Sequence, residues 1–200
     1  NSINLYSENK NSYMTVLLNE MKSPQKEIYK FFTNDTINEL SKQKYANITF
    51  PLKQDKTKII SENIYNFSEL FSYNEKNKKY QIKPNIKSVT NNFLKNIDKY
   101  SCKLHSLIEN ITHKATNGKI FIYSSYVDPN MGGGKFIALL LEYMGYQRKT
   151  YNKNSLEVNN YLDDSSIKRL NKYYIRLDGQ TPDIERNFYI NEFNNTNNID

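Results

Sequence analysis

Two hundred residues at 38% hydrophobic content can bury one modest core, and a mean hydropathy of −0.80 demands a large solvated share. No run of about 18 apolar residues occurs, so no membrane helix is predicted, and the single cysteine, Cys102, excludes an intramolecular disulfide. The net charge of +7 has two readings: a polyanionic partner, or a wholesale preference for lysine that leaves only four arginines.

The chain opens on Asn1-Ser2-Ile3-Asn4, without a leader pattern or an initiator methionine, which suggests an intracellular chain cut from something longer. The short apolar run Met14–Leu18 suits a buried strand. Ser23-Pro24 reads as a helix cap followed by proline at the first helical position, with Ile28, Tyr29 and Phe32 on one face. Asn47–Pro51 is a short extended piece stopped by proline. From Leu52 to Asn92 lysine, asparagine, serine and tyrosine dominate, which predicts a polar insertion with some local helix, held loosely to the core.

Order returns at Ser101, which caps a helix lined by Leu104, Leu107, Ile108 and Ile111. Asn117-Gly118 turns the chain into Lys119–Tyr123, an apolar strand of the kind buried in the middle of a parallel sheet. Phe136–Met144 is a helix apolar enough to be buried around most of its circumference, and Gly145 ends it. After a second polar stretch, Gln147–Lys172, comes the strand Tyr173–Leu177. The helix that follows is expected to be capped by Thr181, with Pro182 at its first position and Ile184, Phe188 and Phe193 facing the core. Helix and strand alternate, so the expected fold is α/β, a parallel sheet flanked by helices and interrupted by polar insertions. The strands Ile120–Tyr123 and Tyr174–Leu177 are expected to lie parallel and adjacent.

Three local patterns invite chemistry. Met131-Gly132-Gly133-Gly134-Lys135-Phe136 resembles a phosphate loop but has proline and phenylalanine where glycine and a hydroxyl are required. We therefore read it as a flexible lead-in whose amides face a nucleic-acid phosphate. Cys102, His105 and His113 match no zinc spacing. Asp178 stands at a strand end, where parallel sheets place ligand contacts, and equally fits a simple turn beside Gly179.

Together these pieces resemble the second motor lobe of helicase superfamily 2. Lys119–Ser124 looks like the strand of motif IV. Leu177-Asp178-Gly179 with Thr181, Arg186 and Phe193-Asn194 resembles the segment after it in Swi/Snf-type motors and in ATPases of large DNA viruses. Ser101-x-Lys103-Leu104, Leu141-Glu142 and Gly145-Tyr146 keep the same order. Met21-Lys22-Ser23-Pro24-Gln25 with Tyr29, and Ala46–Pro51, are similar to the transcription ATPases of poxvirus-like and giant viruses.

The resemblance implies a partial RecA-like lobe. Its organisation would be a lead-in from the first lobe (1–51), a polar insertion (52–98), and the front half of the second lobe (99–200). It implies a nucleic-acid-dependent ATPase or helicase acting on DNA rather than RNA, using ATP and magnesium in the full-length motor. The partners implied are the missing first lobe and RNA polymerase or transcription factors, in host cytoplasm or virion for a viral protein and the nucleus for a cellular one. Carried over by position, Tyr123, Ser124, Ser125, Gly179, Gln180, Thr181 and Arg186 would meet the nucleic-acid backbone at one sheet edge, with Lys103 and Asp178 as structural motif residues. Lacking the phosphate loop and acidic box, the isolated chain is expected to show no ATPase activity. The alternatives are a non-enzymatic nucleic-acid-binding module and, from another class, a Rossmann-like enzyme, for which no G-x-G-x-x-G follows any strand.

Overall fold

The computed structural model describes residues 2–6, 13–17, 20–34, 39–53, 59–114, 118–153 and 155–195. Strands β1 (Ser2–Tyr6) and β2 (Tyr13–Leu17) form an antiparallel hairpin, so the strand expected near Met14 exists, while Leu18 lies outside the described residues. Helix α1 (Gln25–Asn34) buries Ile28 and Phe32 as its spacing requires. Ser23 is not its cap in the expected sense, because the Ser23 hydroxyl donates to the Glu27 carboxylate at 2.7 Å. Helix α2 (Glu39–Asn47) leads directly into Ile48–Pro51, where Ile48 and Phe50 are fully buried.

The polar segment after it is not loosely held. It folds as α3 (Phe67–Leu70), the antiparallel hairpin β3 (Phe71–Asn74) and β4 (Lys79–Ile82), α4 (Lys87–Lys95) and α5 (Ile97–Tyr100). Ile64, Phe67, Leu70, Phe71 and Ile82 all enter the common core. Averaged composition hid them, since a few well-placed apolar groups suffice to anchor a segment whose other side chains face water. The aromatic centre joins distant parts of the chain. Phe50 lies 5.4 Å from Phe93 and 6.1 Å from Phe136, and Phe67 lies 6.3 Å from Phe136, ring centre to ring centre. These are tilted and edge-on arrangements, which ring quadrupoles favour.

Helix α6 (Cys102–Glu109) begins as expected, with the Ser101 hydroxyl accepting from the Leu104 amide at 3.1 Å. A π-turn over Asn110–Lys114 continues it. Of the expected Asn117-Gly118 turn, Asn117 lies outside the described residues and Gly118 has φ +110°. Helix α7 (Gly134–Tyr143) buries every residue from Phe136 to Glu142. Gly145, at φ +99°, ends that helix, and a Cβ there would stand 2.6 Å from the Lys168 carbonyl oxygen.

The expected parallel pair is not formed. Residues 119–124 belong to no strand, and Phe121 and Tyr123 are 82% and 79% exposed. Strand β5 (Gln147–Asn152) pairs antiparallel with β6 (Ser155–Val158) on one side and parallel with β7 (Tyr173–Tyr174) on the other. β7 covers only Gln147 and Arg148 of β5 and β6 covers Lys149–Asn152, so the sheet is small, and residues 119–124 join it nowhere. An apolar run becomes a strand only where a neighbour completes its ladder, and here none does. The architecture is mixed α/β with three small sheets among the described residues, none of them a central parallel sheet. No helix among those residues is long and apolar enough to cross a membrane.

Helix α8 (Asp183–Asn194) also departs from expectation. Thr181 does not cap it: its hydroxyl accepts from the Asp178 amide at 3.0 Å, behind the helix, and Pro182 precedes the first helical turn. The buried face carries Tyr189, whose hydroxyl accepts from the Tyr151 amide at 2.6 Å, while Phe188 rests against the Tyr151 ring. Ile184 is 74% exposed and Phe193 also faces outward. Two apolar faces compete on this short helix, and β5 selects the one that meets it.

Candidate functional site

Polar side chains buried at element junctions build the frame. The Gln25 side-chain amide, fully buried, donates to the Tyr45 carbonyl at 3.2 Å and accepts from the Cys102 amide at 3.0 Å. The Ser101 hydroxyl donates to the Asn47 carbonyl, and the Thr49 amide donates to the Tyr100 carbonyl at 2.9 Å. Three backbone segments with no shared sheet are stitched this way, each polar group satisfied on burial. The stitching fixes the start of α6 and, with it, the root of Lys103.

Lys103 is exposed, and its Nζ donates to the Asn47 side-chain oxygen at 2.7 Å. Beside it a hollow of about 270 Å³ is lined by Asn47, Lys103, Tyr123, Ser124, Ser125 and Gly132, among others. The expected contact residues 123–125 thus meet Lys103 at one place. Ser124 is engaged already: its hydroxyl gives its one hydrogen to the Tyr126 carbonyl at 2.9 Å and accepts from the Tyr126 amide, so it meets phosphate only by exchanging that bond. Tyr126 is fixed in turn by a hydrogen bond from its hydroxyl to Gln43. Ser125 is exposed.

The glycine loop is a packed connection rather than an open anion cradle. The amides of Gly132, Gly133, Gly134 and Lys135 donate to the carbonyls of Pro129, Asp128, Tyr126 and Val127. A Cβ at Gly133 would stand 2.3 Å from the Tyr126 carbonyl oxygen, so glycine is required there by close backbone approach. The expectation that these amides face phosphate is corrected accordingly.

The second expected segment forms its own turn. Asp178 accepts from the Gln180 amide at 3.0 Å and pairs with Arg176, and its backbone amide donates to Thr181. Partial burial opposes its charge, but the Gln180 amide, the Arg176 guanidinium and the Thr181 hydroxyl together hold its carboxyl below the usual range. Arg186 donates to the Thr181 carbonyl at 3.1 Å and to Asp183 at 3.2 Å. Gly179, Gln180, Thr181 and Arg186 do not line the hollow that takes in residues 123–125.

Cys102 is buried, which pushes its thiol pKa up, and His105 lies 3.4 Å from Glu109. The side chain of His113 lies outside the described residues. No group of three His, Cys, Asp or Glu suited to a metal occurs among the described residues.

The sequence singles out Glu142 only as part of the Leu141-Glu142 pair and does not foretell its buried surroundings. Glu142, on the apolar helix α7, is fully buried, and its carboxylate accepts from the Tyr161 and Leu162 amides and the Tyr174 hydroxyl at 2.9, 2.6 and 2.6 Å. Burial is the largest influence on it and raises its pKa despite these donors. The Tyr174 hydroxyl is pushed far up by burial and by the neighbouring carboxylate. An acidic residue amid seven apolar ones was the available signal. No family model, curated protein or solved structure matches this chain.

Proposed function

We propose that this chain is a nucleic-acid-contacting part of a superfamily 2 ATPase, binding the phosphate backbone through Lys103, Ser124 and Ser125. The observation that carries this reading is the shared hollow: Lys103 from the start of α6 and residues 123–125, far apart in sequence, line one surface depression. An ammonium group beside small hydroxyls suits phosphate oxygens and holds a backbone without reading sequence. The net charge of +7 favours the same partner. ATP and magnesium belong to the rest of such a motor, and the RecA-like lobe is proposed on the order of the motifs. The unmade strand pairing favours a second reading, a nucleic-acid-binding module without motor activity. ATP hydrolysis by the polypeptide that carries this chain in its natural context discriminates the two.

Fluorescence anisotropy with labelled duplex and single-stranded oligonucleotides, across a salt series, tests the contact. Lys103→Ala is expected to weaken binding to every sequence alike and to lower the salt slope by about 1. Ser124→Glu, which sets a carboxylate against phosphate, is expected to weaken it further. Parent-like binding by both variants refutes the reading and transfers any affinity to other lysines.

A further inference from the structure

The most exposed aromatic pair among the described residues stands beside this hollow: Tyr123 lines it, and Phe121 lies two residues before. Phe121 and Tyr123 are 82% and 79% exposed, whereas Ile122, Ser124 and Tyr126 between and after them are half-buried. That alternation is the one an extended chain produces, and it sets both rings on one face, about 7 Å apart along the chain. No backbone carbonyl among the described residues accepts from the amides of residues 119–123.

A second hollow, of about 520 Å³, opens beside the first and is lined by Leu107, Ile111, Ile120, Phe121, Ile122 and Tyr123 along with Asn110. Leu107, Ile122 and Tyr123 border both hollows, so the surface runs from an apolar, aromatic end to an end bearing an ammonium and hydroxyls. Water-exposed aromatic rings cost solvation free energy unless something covers them. A ligand matching this surface needs flat apolar groups on one side and anionic groups on the other.

We propose that this trough binds single-stranded nucleic acid, with unpaired bases stacking on Phe121 and Tyr123 while the phosphates run past Lys103, Ser124 and Ser125. The inference rests on the backbone-contact reading and adds to it the strandedness of the ligand. Base stacking on aromatic side chains is tolerant of sequence and unavailable to a duplex, whose bases already stack on one another. The trough therefore prefers single strands, and Tyr123, shared by both hollows, marks the point where base and phosphate part.

The test compares three probes by anisotropy: single-stranded DNA, duplex DNA of the same length, and an abasic strand that keeps the phosphates and lacks the bases. The parent chain is expected to favour the single strand over both others. Phe121→Ala is expected to cost about 5- to 100-fold in affinity for the single strand, and to leave affinity for the abasic strand unchanged. Tyr123→Ala should lose a similar factor on the single strand, and Tyr123→Phe should restore it, since the ring rather than the hydroxyl stacks. Both positions are exposed, so circular dichroism of each variant should match the parent. Equal binding of the single strand by parent and Phe121→Ala, with Lys103→Ala still weakened, overturns stacking and leaves the backbone contact standing. Absence of binding to any probe by the parent overturns both.

Discussion

Glu142 is a fully buried carboxyl on the apolar helix α7. Its three donors come from the Tyr161–Leu162 segment and from β7, so one carboxylate ties two later parts of the chain to α7. Arg169 reinforces the junction by donating to the backbone carbonyls of Glu142 and Leu162 at 3.0 and 3.2 Å. In Glu142→Gln, an amide nitrogen must replace one of the two oxygens and oppose an N–H or O–H donor. We expect a loss of about 1–3 kcal/mol for the buried group left unpaired, measured by urea unfolding at acid pH. The pH dependence has a definite sign. The native carboxyl keeps its proton above the ordinary glutamate range. Its contribution is therefore greatest below that range and is lost as pH rises through the native value. The Gln variant lacks this dependence, so the gap between variant and parent should narrow as pH rises. A gap that widens instead contradicts the raised pKa.

Among the elements, α3 offers the sharpest contrast with composition. Asn66 caps it in a reciprocal box with Glu69, the Asn66 oxygen accepting from the Glu69 amide at 3.0 Å and the Asn66 amide donating to the Glu69 carboxylate at 2.8 Å. Phe67 is then turned inward against Phe71, Tyr80 and Phe136. Truncation of a buried phenylalanine removes its transfer free energy and leaves a cavity. Phe67→Ala should therefore cost about 3–5 kcal/mol, as should Phe136→Ala on the helix whose burial was expected. A near-neutral Phe67→Ala in chemical denaturation would return this segment to the status of a loose excursion. The same element scale explains α8, where Tyr189 rather than Ile184 is buried, because β5 supplies a backbone amide for its hydroxyl.

For the whole molecule, the two polar stretches hold each other as well as the core. The Tyr80 amide donates to the Tyr161 carbonyl at 2.6 Å, the Asp163 amide donates to the Tyr80 carbonyl at 2.8 Å, and Leu162 between them is buried. Arg148 stacks on the Tyr161 ring at 3.8 Å to extend the contact toward β5. Excision of 59–92 with a short glycine-serine replacement should abolish cooperative urea unfolding, since it removes Ile64, Phe67, Leu70, Phe71 and Ile82 from the core. Retention of a single sharp transition in that deletion would show that the remainder folds without them.

The sequence alone determined what depends on near neighbours. The Ser101 cap, the buried face of α1, the apolar helix α7 and its glycine stop all follow from residue type and spacing within a few positions. Residues 123–125 were legible as contact candidates and Lys103 as a structural motif residue from the resemblance, but their meeting in one hollow was not. Only the tertiary structure decided that residues 119–123 lack a ladder and that Gly132–Lys135 direct their amides inward. It also decided that Gln25 and Glu142 are buried. Each of these depends on a partner many residues away, and a hydrogen-bond ladder or a buried carboxylate is specified by that partner as much as by its own sequence.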